Sequence, residues 1–155
     1  MKLREGDAWM PAPDYGRELC DEPSGLSINL LVTDMAAAVE FQREVLGATV
    51  VYADPDFAAV EGFGAKWCLH ADHTYDSHPL AGFVKGLEGR GPGVEIRLHG
   101  CNPDAAEGRA RALGYDVLAG AVDKPHGLRE AYLLDPDGYC WVPDMPVEKS
   151  ADSVG

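Results

Sequence analysis

The sequence predicts an α+β domain in which two βαβββ modules form a curved mixed sheet around a polar cup. Three observations lead there: a length suited to one core, an internal repeat, and strands whose polar side chains share one parity. A chain of 155 residues, 46% apolar and 25% charged, supplies one hydrophobic core and has the composition of an ordinary globular domain.

Residues 1–24 read as an N-terminal arm, because Pro11, Pro13, Gly16 and Pro23 break any periodicity. Trp9, Met10 and Tyr15 are its expected anchors, packing across the domain or onto a second subunit. The domain proper is expected over residues 25–145, with modules at about 26–71 and 93–143 and a tail at 146–155.

In the first module a strand is expected over Leu26 to Val32, then a helix capped by Asp34 with the stripe Met35, Ala38, Phe41, Val45 and Leu46. Gly47 stands where a helix ends in the left-handed conformation. Strands Ala48 to Ala53, Asp56 to Gly62 and Ala65 to Ala71 follow, the last two joined by a turn at Gly62-Phe63-Gly64.

The second module repeats the pattern. Val94 to His99 is a strand, Asn102 caps a helix with Pro103 in its first turn, Ala106, Ala110 and Leu113 form the stripe, and Gly114 stops it. Tyr115 to Ala119 is the next strand. Leu128 to Leu134 and Gly138 to Val142 close as a hairpin over Asp135-Pro136-Asp137-Gly138, where proline presets φ and glycine accepts a positive one. Asp34 matches Asn102 and, one deletion later, Leu46-Gly47 matches Leu113-Gly114.

Alternation along the strands indicates what their second faces touch. Glu95, Arg97 and His99 share one side of their strand while Ile96 and Leu98 take the other. Ser27, Asn29 and Leu31 oppose Ile28, Leu30 and Val32, and Lys66, Cys68 and His70 alternate with Trp67 and Leu69. Acid, base and amide groups on the same face of three strands point to a ligand cup.

The formal net charge of −13 argues against nucleic acid and anionic membranes, whose binding rests on Lys and Arg. A cationic ligand is compatible with it. The four cysteines carry no CxxC pair or short spacing, which fits reduced thiols in a cytoplasm. The first residues lack the apolar core of a signal peptide, and no apolar run approaches a membrane span.

The sequence resembles the vicinal oxygen chelate superfamily, which includes glyoxalase I, extradiol dioxygenases and bleomycin-binding proteins. The likeness runs from about Gly25 to Pro143. It rests on the paired modules, on Leu30-Leu31-Val32-Thr33-Asp34 leading into Phe41-Gln42-Arg43-Glu44-Val45-Leu46-Gly47, and on Asp135-Pro136-Asp137-Gly138-Tyr139. Metal-using members draw ligands from the first and last strands of each module. The resemblance maps those positions to Ser27, Cys68, Glu95 and Val142. Val142 has no donor atom, and one carboxylate with one thiol and a neutral hydroxyl underligates a divalent ion. No metal and no cofactor is therefore expected, although His70, His73 and His78 could supply replacement ligands.

Three functions follow. The first is a small-molecule-binding protein of the bleomycin-resistance type, its cup lined by Ser27, Asn29, Lys66, Cys68, His70, Glu95, Arg97, His99 and Val142. The second is a metal-free isomerase or lyase in which Glu95 moves a proton. The third is a metal-dependent lyase or dioxygenase using His70, Glu95 and a loop histidine. Whether the chain is an enzyme stays open among them. A homodimer is expected, because the open faces and the arm need cover.

Overall fold

The computed structural model describes residues 1–4, 6–10 and 25–148. In the first module β1 (Asn29–Val32) leads to Asp34, whose carboxylate accepts the Ala37 N–H at 3.0 Å and starts α1 (Met35–Glu40). The helix continues through Phe41–Leu46 with π-helical hydrogen bonding and ends at Gly47, φ 74°. The widening has a sequence origin. From cap to stop the first module carries one residue more than the second, Asp34 to Gly47 against Asn102 to Gly114, and a π-bulge absorbs a single extra residue inside a helix. β2 (Thr49–Ala53), β3 (Phe57–Gly62) and β4 (Ala65–Ala71) follow. Phe63 at φ 53° and Gly64 at φ 75° make the tight turn between the last two.

A 3₁₀ turn (Asp72–Tyr75) and the short α2 (Ala81–Val84) connect to β5 (Glu95–His99). α3 (Pro103–Leu113) is capped by the Asn102 side chain, which accepts the Ala105 N–H at 3.0 Å, and stops at Gly114, φ 80°. β6 (Val117–Asp123), β7 (Leu128–Leu134) and β8 (Cys140–Pro146) complete the module.

Each module builds its own four-stranded sheet, ordered β1-β4-β3-β2 and β5-β8-β7-β6. In both, the first strand lies parallel to the last and the other neighbours are antiparallel. The expected α+β architecture of two βαβββ modules is what forms.

One core serves both sheets. Leu30, Val32, Trp67 and Leu69 of the first module belong to the same buried cluster as Ile96, Leu98, Leu133 and Trp141 of the second. The Trp67 and Trp141 rings meet at 5.5 Å between centroids. Because both sheets turn their helix-side faces into this cluster, their opposite faces point outward, away from each other. Leu31, Tyr52, Ala59, Cys68 and Val142, all buried, lie outside the cluster, on those second faces.

The segment between the modules is held by sterics and charge. A Cβ on Gly91 would lie 2.6 Å from the Tyr139 Cα, so only glycine allows the chain to cross the Asp135-Pro136-Asp137-Gly138 turn there. Next to it, the Arg90 guanidinium, 2% exposed, pairs with Asp72 and donates to the Leu31 carbonyl at 3.0 Å.

Several expected boundaries shift. β1 starts at Asn29 because Leu26, expected inside it, is 90% exposed and has no sheet neighbour to pack on. β6 begins at Val117, since Tyr115 turns into the core edge-on to Phe41 at 5.1 Å. β8 runs to Pro146 and the Val147 N–H donates to the Gly127 carbonyl, so the fold passes the expected limit at residue 145. In the arm of the single chain, Trp9 is 47% exposed and Met10 is half-buried; Tyr15 and Cys20 fall outside the described residues. No helix among the described residues is long and apolar enough to cross a membrane.

Candidate ligand-binding faces

On the second face of the first sheet, strand register sets Leu31 beside His70 and His70 beside Phe57. An aromatic row crosses the sheet at this level. Tyr52 on β2 lies 6.4 Å from Phe57, Phe57 is 4.8 Å from His70, His70 is 5.4 Å from Tyr75, and Tyr75 is 4.2 Å from His78. Burial decreases along it, from Tyr52 at 3% exposed, through half-buried Phe57, His70 and Tyr75, to exposed His78. Burial, followed by the charge of His78, moves the His70 pKa below that of a free imidazole, which favours the neutral ring. The Tyr52 phenol is pushed up to about 12 by burial and by its hydrogen bond to the Asp54 carboxylate.

Asp54 and Asp56 close one end of this face. Asp54 accepts the backbone N–H groups of Asp56 and Phe57, each at 2.8 Å, an Asx turn that launches β3. The Asp56 carboxylate, 3% exposed, accepts the N–H of Leu3 at 2.7 Å and of Arg4 at 3.0 Å and pairs with His73 Nε2 at 2.6 Å. The row's other end runs into a cleft of about 520 Å³, whose lining includes His73, Tyr75, Val84, Leu87 and Glu88.

The second sheet carries charge where the first carries rings. His99 is beside Asp144 and Asp144 beside Glu130, the positions that Leu31, His70 and Phe57 occupy in the first module. Arg97 Nη2 donates to both Glu130 and Asp144, at 2.5 and 2.9 Å, and Nη1 to Glu95 at 3.1 Å. His99 Nδ1 is 2.7 Å from Asp144, His126 Nε2 is 3.3 Å from Glu130, and the Tyr132 hydroxyl donates to Glu130 at 2.8 Å. Burial raises the Glu130 pKa, but hydrogen bonds from Arg97 and Tyr132 and the guanidinium charge outweigh it and hold it at about 2. The same contacts, that from Glu130 foremost, raise the Arg97 pKa.

The residues named from the sequence divide between the two faces. Cys68 is buried and His70 half-buried on the first, with Asn29 and Lys66 exposed there; Ser27 is exposed and precedes β1. Glu95, half-exposed at 49%, Arg97, His99 and fully buried Val142 lie on the second. Each face gathers its own set, but one chain does not bring the two sets together. Sequence reasoning missed Glu130, Asp144, Tyr52, Phe57 and Tyr75. Parity along Leu128–Leu134 separates Glu130 and Tyr132 from Ala131 and Leu133, so Glu130 was within its reach; Asp144 was not, because the strand was expected to stop at Val142.

The model of the Glyoxalase/Bleomycin resistance protein/Dioxygenase superfamily matches residues 26–142. The chain belongs to that superfamily. A glyoxalase/bleomycin resistance protein/dioxygenase from Nocardioides is 25% identical, with a TM-score of 0.61, covering 91% of this chain and 97% of its own. A glyoxalase-related enzyme from Fulvimarina pelagi (20% identity, TM-score 0.63) covers 84% of this chain and 95% of its own. TioX from Micromonospora sp. ML1 (19%, 0.58) covers 83% of this chain and all 100% of its own. No curated protein matches the chain. At identities this low the superfamily likeness carries the fold, and function has to be argued from the two faces.

Proposed function

We propose that this glyoxalase-superfamily chain is a small-molecule-binding protein without the superfamily's metal site, and that it works as a homodimer. The observation that carries the reading is the outward orientation of both second faces. One chain cannot wall a cup with both, whereas two copies related by a two-fold axis can set the aromatic face of one against the charged face of the other. A cup with an apolar wall and a few convergent polar groups suits a small organic ligand.

The donor chemistry supports the absence of a metal. Val142 offers no ligand atom, Ser27 lies outside β1, and the Arg97 guanidinium, beside Val142 in register, already draws Glu130 and Asp144 to itself. Among the described residues no three His, Cys, Asp or Glu side chains are gathered as a metal needs. The four cysteines, spread without a CxxC pair or short spacing, support a cytoplasmic setting. The metal-free isomerase or lyase is the second reading, favoured by one observation: Glu95 keeps half its side chain exposed while touching Arg97, so its carboxylate can reach a ligand.

Incubating the purified full chain with cell extract, followed by native mass spectrometry, tests the proposal. A dimer retaining one small molecule per cup and no stoichiometric metal is expected. A monomer, or a transition metal that survives gel filtration, would overturn it. In the same assay Glu95→Gln separates ligand contact from packing: loss of the retained molecule at an unchanged melting temperature assigns Glu95 to the ligand, and unchanged retention removes it from the site.

A further inference from the structure

Resting on that reading of the first module's face as a ligand wall, we infer that the ligand is a planar aromatic cation, seated where the aromatic row meets the cleft at Tyr75. Three observations carry this. The row is a line of ring contacts from Tyr52 to His78, and its rings grow more exposed toward Tyr75 and His78, so ring surface is presented at that end. A flat π-system adds to such a row by offset or edge-to-face contact, the geometry the row's own members use. The adjoining cleft, about 520 Å³, is the size of small-ligand sites, and the apolar Val84 and Leu87 lie in its lining with Tyr75.

Charge selects the sign. The chain carries 26 acidic against 13 basic residues, which draws cations toward it and repels anions. Within the cleft the Arg90 guanidinium is closed off by Asp72 and 2% exposed, so it offers an anion little, and the exposed Lys85 of the lining is matched by the exposed carboxylates of Asp76 and Glu88. On the facing wall of the two-copy cup, the three carboxylates of Glu95, Glu130 and Asp144 meet two permanent cations, the Arg97 guanidinium and Lys124, 3.9 Å from Glu130. A cation over the Tyr75 ring face gains further attraction from the ring's quadrupole.

Fluorescence titration of the full chain with proflavine, a planar cation, and with 8-anilinonaphthalene-1-sulfonate, an aromatic anion, tests the inference. One proflavine per chain is expected, bound at least about tenfold more tightly than the anion. Tyr75→Ala should weaken proflavine about tenfold, measured well below the variant's own melting temperature so that lost packing does not enter, and Tyr75→Phe should restore it. Equal or tighter binding of the anion, or proflavine affinity indifferent to Tyr75→Ala, would sink the assignment. Light scattering keeps the two proposals apart. A dimer that binds neither dye overturns the ligand class and leaves the shared cup standing; a monomer that binds proflavine through Tyr75 does the opposite.

Discussion

Leu31, His70 and Phe57 on one sheet and His99, Asp144 and Glu130 on the other stand at corresponding places of the same repeated backbone, yet are held by different physics. The first set is a packed row of rings and an aliphatic side chain, with a neutral imidazole favoured at its centre. The second is an ionic ladder in which two carboxylates, 2% and 1% exposed, converge on one Arg97 nitrogen. Strand order is the same in both, and so is the pairing register of the first, last and adjoining strands on which these residues stand. A duplicated fold therefore sets where side chains meet and leaves open whether they meet through dispersion or through charge. Packing tolerates pH and salt, and the ladder depends on every charge staying paired.

Removing the shared cation should break the comparison most severely. Arg97→Met leaves Glu130 and Asp144 buried without their guanidinium, and a loss of about 3–5 kcal/mol is expected in urea unfolding at neutral pH. A loss under 1 kcal/mol would mean that the ladder contributes little to stability.

Acid should act on the same ladder. The Glu130 pKa is depressed from 4.5 to about 2 in the folded chain, so its contribution is fully present above pH 4.5 and is lost as pH falls through about 2. At about 1.36 kcal/mol per pH unit that amounts to about 3 kcal/mol. Unfolding free energies measured between pH 5 and 2 should fall accordingly, and Glu130→Gln should flatten the slope. An equal slope in the variant would show that other carboxylates carry it.

The smallest effect is expected in the aromatic row. Phe57→Ala removes a half-buried ring and should cost about 2 kcal/mol at about pH 7 to 8, where His70 is neutral, with no dependence on salt. A salt-dependent loss would show that the two faces are less distinct than their side chains suggest.

Much of the fold was legible because it is written in local signals. Asp34 and Asn102 cap from just ahead of an apolar stripe, Gly47 and Gly114 adopt a φ that other residues resist, and the one-residue difference between the helices reappears as a π-turn at Phe41–Leu46. Strand parity, a period of two, correctly put Glu95, Arg97 and His99 on one side and Ile96 and Leu98 on the other. Boundaries were less legible where a long-range contact decided them. Tyr115 left the expected strand for an edge contact with Phe41, and β8 extended through Asp144 because β5 and β7 pair with it on both sides.

By itself, then, the sequence determined the repeat, the caps and stops, the face each strand residue takes and the superfamily, since each depends on neighbours a few residues apart. Only the tertiary structure decided which way those faces point. Trp67 packing on Trp141 joins the two helix-side surfaces into one core, a contact between residues far apart in the chain. It is driven by burial of apolar area, which is not directional along the sequence. The same packing turns the aromatic row and the carboxylates around Arg97 outward, with Cys68 on the face of one sheet and Glu95 on that of the other.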